Sequence, residues 1–169
     1  MKKIISLFVS VCLLTLCVAI NSSEAKAASY DKSYAAKTLT VKLQAGTSYK
    51  TLGKIKEGTI VKVYGGVPVG KDQDDWYSYQ QYGWSKIKYK NKYAYVKTHE
   101  LHFADPYSWA PGVKTRTIND IKKNYVGKKD KTKLEKSSLG FYIMYIQIDG
   151  KGGWHSLVNI NCKTGWYHG

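Results

Sequence analysis

From Leu39 onward the apolar residues come in short runs broken by glycine. Val41 and Leu43, then Leu52 and Ile55, then Ile60, Val61 and Val63 are separated by Gly46, Gly53 and Gly58. No run in this stretch has helical length, and β-branched residues dominate it. Short β-branched runs between turn residues read as a small all-β domain. Residues 60–64 (IVKVY) are a clear strand. Residues 65–70, with the acidic stretch around Asp72–Asp75, read as a loop, because Pro68 argues against a central strand.

Two features set the context in which that domain folds. Lys2 and Lys3 precede an apolar run over residues 4–20, and Ala25-Lys26-Ala27 forms an A-x-A site before Ala28. This is the pattern of a cleaved secretory leader, so 1–27 is expected to be a signal peptide and 28–169 the mature chain, with no stable membrane span. Cys12 and Cys17 leave with the leader, and Cys162 remains alone. No intramolecular disulfide can then form, and the fold must rest on its core. The mature chain keeps 24 basic and 11 acidic side chains, net +13. Such an excess points to a polyanionic partner. For an exported protein the anionic cell wall is nearer than nucleic acid, so no nucleic-acid partner is expected.

Residues 28–38 are small and polar and read as a linker. Residues 84–89 (WSKIKY) alternate, with Ser85, Ile87 and Tyr89 on one face and Trp84, Lys86 and Lys88 on the other. Lys90-Asn91-Lys92 makes a turn, and residues 93–97 return as the second strand of a hairpin. The outward face would carry Trp84, half exposed, with Lys86, Lys88, Tyr93 and Tyr95. Residues 102–112 read as a connection. Residues 116–126 place Ile118, Ile121 and Tyr125 at helical spacing before Gly127. Residues 128–136 read as a charged loop or a second helix start. After them, residues 141–148, 154–162 and 166–169 read as a three-stranded meander, with Trp154, Val158, Ile160 and Cys162 on one face and His155, Asn159 and Asn161 on the other. The expected fold is mainly β: a small barrel over 39–103, then a small α+β domain over 104–169 made of one helix and an antiparallel meander.

The pieces of 39–103 occur in a familiar order. They are Val41-Lys42-Leu43-Gln44-Ala45-Gly46-Thr47-Ser48, then Leu52-Gly53-Lys54-Ile55-Lys56-Glu57-Gly58-Thr59-Ile60-Val61-Lys62-Val63. The last are Gly83-Trp84-Ser85-Lys86-Ile87-Lys88-Tyr89 and Lys92-Tyr93-Ala94-Tyr95-Val96. In order and spacing this resembles the bacterial SH3-like (SH3b) domain. Gln44 stands where that family often has Arg, Thr47 where it often has Pro, and the segment from Gly65 to Tyr82 is longer and richer in aromatics. The resemblance implies an SH3-like barrel that binds peptidoglycan and carries no catalytic residues of its own. Residues 104–169 resemble no family.

Candidate chemistry follows. Trp76, Tyr77, Tyr79, Tyr82, Trp84, Tyr89, Tyr93 and Tyr95 put eight aromatics in 20 residues, more than a small barrel can bury. Their flat faces suit sugar rings and peptide stems, and their OH and NH groups can hydrogen-bond. The candidate ligand-binding set is therefore Trp76, Tyr79, Tyr82, Trp84, Tyr93 and Tyr95, with Lys86 and Lys88 beside them. Cys162 shares the Val158/Ile160 face, away from His155, and reads as a buried thiol rather than a nucleophile. His99 and His102 lack further ligands for zinc, and the Asp72–Asp75 stretch lacks a calcium-loop pattern. No catalytic residue, metal or cofactor is expected. The expected function is that of an exported cell-wall-binding protein, secreted or wall-associated in a Gram-positive setting, with peptidoglycan or wall polyanions such as teichoic acid as ligand. The alternatives are a small wall-active hydrolase using Cys162, Asp120 or His155, or a secreted inhibitor whose C-terminal part binds another protein.

Overall fold

The computed structural model describes residues 29–68 and 83–169. The leader, Asp72–Asp75, Trp76, Tyr79 and Tyr82 lie outside the described residues. Seven antiparallel strands form the first sheet: β1 (Asp31–Ala35), β2 (Leu39–Lys42), β3 (Thr51–Ile55), β4 (Ile60–Val67), β5 (Trp84–Tyr89), β6 (Lys92–Lys97) and β7 (Leu101–Phe103). Their order is β3-β2-β6-β5-β4-β1-β7. After helix α1 (Val113–Tyr125) come β8 (Lys131–Lys136), β9 (Phe141–Gln147), β10 (His155–Asn161) and β11 (Tyr167–His168), a four-stranded meander. The fold is mainly β with one helix, as the residue pattern predicts.

The first sheet is curled, and chain length shows why. In the ladder, β1 and β2 are four strand spacings apart, as are β6 and β7. On a flat sheet four spacings are about 19 Å. Yet Ala35 to Leu39 and Lys97 to Leu101 are each only four residues, a reach of at most about 14 Å. The sheet must bend until these strands approach, and Ala36 N–H donates to Glu100 O (2.9 Å) to tie the two short bridges together. The ladder itself stays open between β3 and β7, so where a small barrel is expected the strands form a curled sheet that does not close. Inside it Leu39, Val41, Val61, Val63, Ile87, Ala94 and Val96 form one core. The β5–β6 hairpin turns on Lys90 (φ 49°) and Asn91 (φ 62°), the two left-handed residues that a two-residue hairpin loop needs.

Three expectations are corrected. Residues 31–35, read as linker, are β1. Their inward residues Asp31 and Ser33 are buried yet polar, so no hydrophobic period marks the strand. It is held by polar bonds, among them Ser33 Oγ to Val61 O at 3.0 Å. Gly65 and Gly66, read as loop, are buried within β4. A Cβ at Gly66 would run into Lys163 O, so glycine there permits a close backbone crossing. Residues 131–136, read as loop or helix, are β8. This edge strand has one apolar residue, Leu134, and is recruited by pairing with residues 142–147 of β9. Edge lysines are a common means of discouraging further strand addition.

The two sheets share their packing. Val113, at the start of α1, belongs to the first core, whereas Ile121, two turns on, packs with Met144, Val158 and Ile160 in the second. Trp109, in the connection, packs against both cores and stacks on Tyr142 at 5.1 Å. Residues 104–112 are thus a packed joint and not a loose tether.

Candidate binding face

The outer side of β4, β5 and β6 carries alternating lysines and tyrosines. Pairing across the hairpin sets Lys88 opposite Tyr93 and Lys86 opposite Tyr95. Lys62 and Tyr64 extend the face onto β4, and Tyr30, just before β1, extends it further. The rings form a row across the strands: Tyr30 to Tyr64 at 6.1 Å, then Tyr64 to Tyr93 at 6.1 Å, edge-on at 72°. Lysine ammonium groups sit over this row. Lys62 Nζ is 4.6 Å from the Tyr30 centroid and Lys86 Nζ is 3.9 Å from that of Tyr93. Lys88 Nζ lies between Tyr64 and Tyr93, at 5.2 and 5.7 Å. Each such contact contributes about 0.5–1 kcal/mol at exposed sites. Their larger effect is to limit where three charges can go. Among the described residues, no salt bridge involves Lys62, Lys86 or Lys88. The face therefore presents uncancelled, partly pre-positioned positive charge beside exposed aromatic edges (Tyr93 is 49% exposed). Phosphate or carboxylate groups fit it, with CH surfaces against the rings.

The candidate residues divide. Lys86, Lys88 and Tyr93 lie on this face, and Tyr95, half-buried, is paired within it between Lys86 and Lys42. Trp84 is corrected: it shares the register of Lys86 and Lys88 but is only 6% exposed, between Val67 and Lys97 on the flanking strands. Alternation fixes the side from which a residue leaves a strand, not what lies over that side. Tyr30, Lys62 and Tyr64 were missed. The strand reading of residues 60–64 already places Lys62 and Tyr64 two apart, on one face. Tyr30 had no signal, because β1 was read as linker.

A second lysine environment lies where the sheets meet. Lys163 Nζ pairs with Asp31 Oδ2 at 2.6 Å, their side chains 4% and 5% exposed. The ammonium also has Ser108 O (2.6 Å), Asp105 O (2.8 Å) and Ser108 Oγ (2.9 Å) in reach, so its three donors are saturated. Arg116 Nη2 donates to Gly66 O and Thr164 O, both at 2.9 Å, bridging the first sheet to the β10–β11 turn. Cys162 is fully buried, with its thiol against Pro106 O and Ser108 O. Burial pushes that thiol up to about 11, so the reactive thiolate is scarce at neutral pH. A cleft of about 230 Å³ opens beside this joint, lined in part by His99, Leu101, His102, Phe103, Leu139 and Phe141.

Other candidate groups have structural partners. Asp120 accepts the Tyr167 hydroxyl at 2.6 Å and the Asn124 amide at 3.2 Å, and the hydrogen bond to Asp120 pushes Tyr167 up to about 12. Among the described residues no group of His, Cys, Asp or Glu is arranged to hold a metal ion. No described helix is long and apolar enough to cross a membrane. Comparison with family models, curated proteins and solved structures finds no match.

Proposed function

We propose that this is an exported, non-catalytic cell-wall-binding protein that grips anionic wall polymer through the lysine–tyrosine face. The observation that supports this reading is the row Tyr30–Tyr64–Tyr93 with Lys62, Lys86 and Lys88 held over it and no acidic partner for these lysines among the described residues. A face built to stabilise the fold would have its charges paired. Among the described residues this one has none of them paired. The net charge adds long-range attraction, and the rings add contacts that salt does not screen.

The test is co-sedimentation of residues 28–169 with purified sacculi, with and without teichoic acid, at about 0.05 and roughly 0.5 M salt, where surface charge is weakly and strongly screened. Binding is expected to rise with the anionic polymer, to weaken at high salt, and to fall at least tenfold when Lys62, Lys86 and Lys88 are all changed to Gln. No pelleting under any condition would overturn the reading.

A further inference from the structure

The four-stranded sheet has two unlike faces. On the inner one Met144, Ile146, Val158 and Ile160 are buried beneath α1, and Tyr167 turns inward to Asp120 and Tyr125. On the outer one pairing aligns Lys133 with Tyr145, Tyr145 with Ser156, and Ile143 with Asn159, and Asn159 with His168. None of these residues is buried. A bulge between Ser156 and Val158 breaks the alternation, so Trp154 leaves the Val158/Ile160 side on which even spacing would put it. It joins the outer face, 39% exposed. Lys133 Nζ confirms the placement, lying 5.0 Å from both the Tyr145 and the Trp154 ring centroids. Trp166 and His168 lie tilted against each other, 4.7 Å between centroids, at the far edge. The Asn159 amide has no protein partner among the described residues, and Gln147 uses only its NH2 group, donating to Gly152 O at 2.8 Å.

The charge balance selects the occupant. Lys133 is matched by Glu135 at 2.6 Å. This leaves Lys131, opposite Gln147 at the end of the face, as the one β8 lysine of this side without an acidic partner among the described residues. Three such lysines sit together over the tyrosine row. A polyanion gains less here. What remains is exposed ring surface flanking a spare amide and a spare amide carbonyl, on a sheet face that no described residue covers. Two rings that each lie 5.0 Å from one ammonium are within twice that distance of each other, a span that a disaccharide covers. Ring CH faces stack on aromatic side chains while hydroxyls bond to amides.

We infer that this outer face, centred on Trp154, Tyr145 and Asn159, binds a neutral glycan chain. The inference rests on the wall reading above and deepens it. The protein then holds the wall at two chemically different places, polyanion on the first sheet and sugar backbone on the second. Two tethered contacts reinforce each other through effective concentration.

The experiment is calorimetric titration of residues 28–169 with a soluble β-1,4-linked N-acetylglucosamine tetramer, at about 0.05 and roughly 0.5 M salt. Binding is expected to change less than twofold with salt. Trp154→Ala and Asn159→Ala are each expected to weaken it at least tenfold, and Lys123→Ala, at an exposed position on α1, to leave it unchanged. Both weakening substitutions are at solvent-accessible positions, and matched melting curves confirm that the fold is kept. No tetramer binding by the parent, or Trp154→Ala binding as the parent does, overturns the inference. If sacculi are still bound through Lys62, Lys86 and Lys88 in that case, the glycan site fails while the wall reading stands. If sacculi are also ignored, both fail.

Discussion

Lys163 and Lys88 are the same residue type put to opposite uses. Lys163 is buried where the sheets meet, its charge consumed by Asp31 and its protons by Ser108 and Asp105. Lys88 stands in solvent between two tyrosine rings, with no described acidic partner. The first arrangement ties strands together and has nothing left for a ligand. The second does little for the fold and leaves its charge available. In so basic a chain, counting lysines says little about function. The saturation of each ammonium separates clamp from contact.

The contrast can be broken at the joint first. Asp31→Ala leaves Lys163 buried without its counter-charge, and loss of one partner of a buried pair costs about 3–5 kcal/mol. Urea unfolding should show that loss, and the double substitution Asp31→Leu with Lys163→Met should recover much of it. If Asp31→Ala is as stable as the parent, the clamp reading is wrong. Gly66→Ala comes next. The added methyl meets Lys163 O, and such overpacking costs roughly 1–3 kcal/mol, visible as a lowered thermal midpoint without change at the lysine–tyrosine face.

A pH titration sharpens the same comparison. Tyr167 has its proton held by Asp120, with a folded-state value of about 12 against an ordinary 10. A raised value means the folded state keeps the proton longer. Stability from this bond is therefore complete below pH 10 and is lost as pH rises toward 12. Tyr167→Phe should flatten that part of the alkaline stability curve. The smallest effect on stability is expected on the open face. Lys88→Ala should lower unfolding free energy by no more than about 1 kcal/mol, the scale of its ring contacts, while still weakening sacculus binding. A large loss of stability there would make Lys88 a structural residue after all.

The residue pattern shows strands wherever apolar residues recur with period two. Thus β2, β4, β5, β6, β9 and β10 and the helix around Ile118 and Ile121 could be read directly. Strands built on polar or charged residues could not. β1 is chosen by Asp31 and Ser33, whose partners lie far along the chain, and β8 by its pairing with β9. The site followed the same rule. Lys86, Lys88 and Tyr93 come from one hairpin, so local alternation finds them. Tyr30 joins them only through the pairing of β1 with β4. Trp84 shows the converse, a residue whose direction was legible and whose cover was not.

The Asp31–Lys163 pair also joins the two ends of the described chain. Its members are 132 residues apart, so this pair cannot close until the β10–β11 turn is made, although β1 already has both of its strand partners before residue 104. A growing or threading chain carries Asp31 as an idle carboxylate through most of its synthesis, and contacts of such separation form late. The hairpin of β5 and β6 can form early from its own turn. Locking the two sheets together through this pair waits for the last turn to reach back to the first strand, so a chain that stalls before residue 163 keeps Asp31 without its counter-charge.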